Sequence, residues 1–96
     1  MRQSAKQKLL AKYADIAWAL GYWQRRIELS ESLEKTKYCQ GGLARNQELL
    51  PGVELALNVV GIPTNDSVTL HRQSFADGVA AANDHHKLSN KAIIAM

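Results

Sequence analysis

Leu9, Tyr13, Ile16, Leu20, Trp23 and Ile27 follow one another at steps of 4, 3, 4, 3 and 4, the spacing that lines apolar side chains along one side of an α-helix. A strand, whose side chains alternate every second residue, cannot gather these six on one face. Lys12, Asp15, Gln24, Arg25 and Glu28 all fall off the seam. The pattern predicts a helix from about Ser4, a suitable N-cap, to about Lys35. Ala17, Trp18 and Tyr22 widen its apolar surface beyond what a two-stranded contact needs, so the helix is expected to pack against two neighbours. Gly21, which costs about 1 kcal/mol relative to alanine inside a helix, marks either a close approach of another helix or a bend.

After Leu33 the periodicity stops, and Cys39, Gln40, Gly41 and Gly42 supply turn chemistry that would end the helix and reverse the chain. A second helix is expected from Leu43 to Gly61, kinked or divided at Pro51 and Gly52. Within it, Val53, Leu55, Leu57 and Val59 alternate with Glu54, Ala56 and Asn58, which leaves open a β-hairpin through Val68 to Leu70. Helix is favoured because Val60, Gly61, Ile62 and Pro63 read as a helix stop: a glycine for the left-handed position, an apolar residue to pack back on Leu57, and a proline that forbids continuation. Pro63, Thr64, Asn65 and Asp66 read as a turn. Ser74 would cap the next helix with Asp77 as its reciprocal partner, and Phe75, Val79, Ala82 and His86 recur at steps of 4, 3 and 4. Ser89 would cap a last turn through Ile93, Ile94 and Met96. The expected fold is all-α: a long N-terminal helix forming a helical hairpin with a kinked second helix, plus one or two short C-terminal helices in a small bundle. Residues 1–96 are expected to form a single domain, with a flexible basic N-terminus over residues 1–5.

A chain of 96 residues buries only about 60 to 65% of its unfolded surface, so its core is thin and a partner can complete it. The hydrophobic fraction of 46% against 22% charged is that of a globular chain and excludes a disordered one. No apolar run reaches the roughly 18 residues a membrane helix needs, since the stretch Ile16 to Trp23 is closed by Gln24, Arg25 and Arg26. The basic N-terminus lacks the apolar core of a secretory signal, and a cytoplasmic location is expected. The lone Cys39, unable to form an internal disulfide, reads as buried filler in a reducing compartment.

The residues offer no catalytic constellation. His85 and His86 are adjacent, about 100° apart on a helix, and no His pair has i, i+4 spacing, so no metal site is expected. Gly41 and Gly42 lack the Lys and Ser or Thr of a phosphate loop. Glu28, Glu31 and Glu34 succeed one another at i+3 but are interleaved with Arg25, Arg26, Lys35 and Lys37, the arrangement of a salt-bridged exposed face. No cofactor and no enzymatic activity are expected.

Binding is the remaining class. Trp18, Tyr22 and Trp23 place both tryptophans of the chain within one and a half turns, and large aromatics are favoured anchors at protein interfaces. Arg25 and Arg26 beside them would supply polar rim contacts. The bland alternative makes these aromatics the core of a small bundle. A protein-binding modulator, inhibiting or redirecting a larger protein, is the first reading; a homodimer through the first helix is also compatible with its seam. The second reading is a helix-turn-helix DNA-binding regulator formed by Ala56 to Gly61, a turn, and a helix from Ser67. In that case His71, Arg72 and Gln73 would face DNA and the basic residues Arg2, Lys6, Lys8 and Lys12 would add phosphate contacts. The net charge of +3 permits contact with nucleic acid without requiring it. In general character, a short, mildly basic helical chain without catalytic residues resembles the accessory proteins of phages and plasmids. Such a resemblance, which rests on class and on no shared motif, implies a host nuclease, helicase or polymerase as partner, as with the phage inhibitors of the RecBCD nuclease.

Overall fold

The computed structural model describes residues 4–95, with side chains described through Leu88. Three α-helices make up the fold: α1, Ala5–Leu29; α2, Leu33–Val59; and α3, Thr64–Ala95. No strand occurs among the described residues, which removes the hairpin alternative at residues 53 to 70.

Helix α1 begins where its sequence says it should. Ser4 closes a capping box, its side chain accepting from the Gln7 backbone at 3.2 Å while the Gln7 side chain accepts from the Ser4 backbone at 3.0 Å, so two of the orphan N–H groups at that end are satisfied. Its end is a correction, because the helix stops at Leu29 and not near Lys35. Ser30 turns its hydroxyl onto the Ile27 carbonyl at 2.8 Å and leaves the helical region, with ψ 139°. Two residues later Ser32 caps α2, accepting from the Lys35 N–H at 3.2 Å. Two serines that compete for backbone groups thus overrule a run of charged residues with good helix propensity.

The reversal therefore comes at Ser30 to Ser32, and Gly41 and Gly42, expected to form it, lie inside α2. Pro51 also lies inside α2, which runs without interruption for 27 residues, so the expected division at Pro51 and Gly52 is not observed. At the far end the reading holds. Gly61 adopts φ 79°, the Gly61 N–H bonds the Asn58 carbonyl and the Ile62 N–H bonds the Leu57 carbonyl, both at 3.1 Å, the paired bonds of a glycine helix stop. Ile62 packs against the core cluster that contains Leu57. Gly61→Ala is expected to destabilise the chain by about 1 kcal/mol, the strain of a Cβ in the left-handed region. Thermal melting followed by circular dichroism should show a drop of about 4 to 8 °C; an unchanged midpoint would mean that this turn does not constrain the fold.

Helix α3 starts at Thr64, immediately after Pro63, whose carbonyl accepts from Asp66 and Ser67. The residues read as a turn are thus its first turn, with Asp66 at the end where the helix dipole favours a negative charge. Ser74 is buried in its interior and caps nothing, and the backbone continues helically through Ser89. One helix of 32 residues replaces the expected one or two short ones.

Helix α1 lies between the other two, which hardly touch each other. Tyr13 meets His71 and Arg25 meets Asn83, so α1 and α3 run parallel. Trp23 meets Tyr38 while Tyr13 lies beside Glu54, so α2 runs antiparallel to α1. The seam of α1 is filled from within: Tyr13, Ile16 and Leu20 form one cluster with Val53 and Leu57 of α2. It is not free to pair with a second α1, as the homodimer expectation required.

The α1 and α3 contact is made by small residues. Ala17 and Ala82 are fully buried. A Cβ built on Gly21 would stand 2.1 Å from the Phe75 carbonyl oxygen, and one on Gly78 2.0 Å from the Trp18 carbonyl oxygen, so the two backbones touch at reciprocal glycines. Of the two roles the sequence left open for Gly21, close approach is the one it serves.

Candidate interaction surface

Across the outer side of α1 runs a band of aromatic rings. Trp18 stacks on Tyr22, centroids 4.9 Å apart and planes 12° from parallel. Tyr22 meets Trp23 edge-on at 5.1 Å, and Trp23 meets Tyr38 of α2 edge-on at 5.6 Å. The guanidinium of Arg26 lies 5.5 Å from the Tyr22 centroid and 5.3 Å from that of Trp23, within cation–π range, and donates to the Tyr22 hydroxyl at 3.4 Å.

The local sequence dictates this arrangement. Trp18, Tyr22 and Arg26 follow at i+4, which stacks them along one edge of a helix, and Trp23 lies toward α2. There its indole covers Gly42: a Cβ on that residue would fall 2.5 Å from the Trp23 ring. Gly42 is therefore a seat for Trp23 and not a turn residue. Trp18 remains 39% exposed and Tyr38 68%, whereas Trp23 is half-buried. Of the five residues expected to bind protein, Trp18, Tyr22, Trp23 and Arg26 come together. Arg25 does not: its Nε donates to Asn83 Oδ1 at 2.7 Å and its Nη1 to Glu28 Oε2 at 2.8 Å, tying α1 to α3. Sequence reading missed Tyr38, which is 15 residues downstream of Trp23 in a segment expected to lead into a turn.

The residues assigned to nucleic acid are dispersed. Lys6, Lys8 and Lys12 are exposed but belong to the first turns of α1 and not to a free arm; Lys6 and Lys8, two positions apart, point to nearly opposite sides of the helix. Arg2 lies outside the described residues. His71 is half-buried, 5.7 Å from the Tyr13 ring and 6.2 Å from that of Phe75, while Arg72 and Gln73 are exposed. A helix-turn-helix packs its second helix on its first, and here α2 and α3 hardly touch.

Because they diverge, a groove of about 510 Å³ opens between α2 and α3, lined by Tyr13, Glu54, Val68, His71, Arg72 and Phe75. Burial in the first place, and the negative charge of Glu54 in the second, raise the Tyr13 phenol above its ordinary value of 10.0. An acid with a raised folded-state pKa contributes stability that is complete below the unfolded value and lost as pH rises from about 10 through the folded one. Tyr13→Phe is therefore expected to flatten the alkaline limb of the stability curve above pH 10, measured by urea unfolding against the unmodified chain; parallel limbs would show that Tyr13 carries none of the effect.

No group of three or more His, Cys, Asp or Glu residues among those described is placed to hold a metal. Cys39 is free and buried. No described helix is long and apolar enough to cross a membrane. No protein-family model, curated protein or solved structure matches the chain.

Proposed function

We propose that the chain is a non-enzymatic interaction module that docks on a larger protein through the aromatic band and modulates its activity. The observation that carries this reading is the exposure of Trp18, a large aromatic 39% open to solvent yet held in one orientation by stacking on Tyr22. Ordering such side chains before contact lowers the entropy lost on association, and Trp, Tyr and Arg are the residue types that dominate interface energetics. Arg26, fixed over two rings, keeps its charge at the rim and favours a partner surface with an apolar centre and an acidic edge.

A nucleic-acid-processing enzyme such as a nuclease-helicase is the partner class suggested by the resemblance in character to phage accessory inhibitors. The test uses the full chain as bait, with a Trp18→Ala, Tyr22→Ala double variant as control. A protein captured by the first and not by the second is purified, and its enzymatic rate is titrated with the chain. A saturable change in rate supports the proposal. Equal capture by both baits, or steep salt-dependent retention of duplex DNA in place of a protein, overturns it.

A further inference from the structure

Helix α2 carries a second apolar stripe on a flank that α1 does not cover. Tyr38, Gly41, Arg45, Leu49, Gly52, Ala56 and Val59 recur at steps of 3, 4, 4, 3, 4 and 3, a helix-packing seam as regular as that of α1. It extends for about 32 Å at 1.5 Å per residue. Tyr38 is 68% exposed, Leu49 46% and Val59 79%. A Cβ on Gly41 or Gly52 would meet nothing within 4 Å, so these glycines lower helix propensity by about 1 kcal/mol each without making room for anything inside the chain.

We infer that this stripe is a self-association surface on which α2 pairs antiparallel with α2 of a second copy. The pattern is its own complement. With the twofold axis between Glu48 and Leu49, Tyr38 comes opposite Val59 of the second copy, Gly41 opposite Ala56 and Arg45 opposite Gly52, so each contact is made twice, as an isologous interface requires. Large residues then meet at the ends of the seam and small ones toward its middle, where the backbones approach. Charge fixes the direction. Arg45 and Glu48 are exposed and make no ion pair or hydrogen bond among the described residues. In the antiparallel register each Arg45 lies one turn from Glu48 of the other copy, within reach of a guanidinium, whereas a parallel register would set Arg45 on Arg45 and Glu48 on Glu48. Trp18 and Tyr22, on α1, take no part in the seam, so self-association and the proposed partner surface can be tested separately.

The experiment is sedimentation of the full chain over a concentration series up to about 1 mM, a limit that still detects a dimer of only about −4 kcal/mol. The unmodified chain is expected to dimerise. Leu49→Glu, which sets charges against the centre of the seam, is expected to weaken the dimer about 100-fold, and Arg45→Glu about 10-fold. The double variant Arg45→Glu, Glu48→Arg restores opposite signs across the axis and is expected to return to within about threefold of the original. Both positions are exposed, so helicity by circular dichroism should stay constant throughout. A chain that remains monomeric at the highest concentration overturns the inference. A dimer indifferent to Leu49→Glu overturns it equally, and a double variant no better than the single one rejects the antiparallel register.

Discussion

Gly78→Ala is expected to be among the most damaging single-methyl changes in this chain. The added carbon would lie 2.0 Å from the Trp18 carbonyl oxygen and 2.9 Å from the Tyr22 nitrogen, and both are backbone atoms that no rotamer change can move. Relief requires α1 and α3 to separate by more than about 1 Å, and a gap of that size forfeits a quarter to a half of each dispersion contact along the crossing. Ala17 and Ala82, both fully buried there, have no longer side chain with which to refill it. Alanine regains about 1 kcal/mol of helix propensity, yet a net loss of about 3 kcal/mol is expected, a large part of the roughly 5 to 10 kcal/mol of a small domain. Gly21→Ala, aimed at the Phe75 carbonyl oxygen at 2.1 Å, is expected to behave alike. Gly41→Ala, with open space above it, should instead stabilise the chain by about 0.5 to 1 kcal/mol. Urea denaturation at low protein concentration reads all three, and a Gly78→Ala curve coincident with that of Gly41→Ala would refute the close crossing.

The same crossing explains what could and could not be read from the residues. Helix α1 was legible because its contact with α2 uses bulk: Tyr13, Ile16 and Leu20 announce themselves by size and period. The contact with α3 uses the absence of bulk, and Gly78 and Ala82 carry little apolar signal, so α3 looked weak and was expected to be short. Its start was hidden by a real degeneracy, since Pro63, Thr64, Asn65 and Asp66 suit a turn and the first turn of a helix equally well. Ser30 and Ser32 ended α1 inside a run of good helix formers because capping is a local hydrogen-bond preference that periodicity does not register. Gly61 was legible for the opposite reason, its left-handed φ being needed by the chain itself and not by a neighbour. In the aromatic band, the i+4 pair Trp18 and Tyr22 was visible and Tyr38 was not, because only the antiparallel packing of α2 brings it to Trp23.

Simultaneous replacement of Trp18 and Tyr22 by alanine is expected to abolish partner capture while leaving the fold in place. Two central aromatic anchors are worth about 2 kcal/mol or more each at an interface, so affinity should fall about 1000-fold. Stability should change by less than about 1 kcal/mol, because the stacked pair packs chiefly on itself and Trp18 is 39% exposed. Trp23 provides the contrast. Its ring covers Gly42 and meets Tyr38, joining α1 to α2, so Trp23→Ala should lower stability by about 2 kcal/mol before any binding is measured. If the outer band serves recognition and its inner edge serves packing, the two tryptophans separate cleanly: the Trp18, Tyr22 variant melts with the unmodified chain and fails to bind, and the Trp23 variant melts early. A Trp18, Tyr22 variant that melts as early as the Trp23 variant would assign the whole band to the core and leave the proposed docking surface without its anchors.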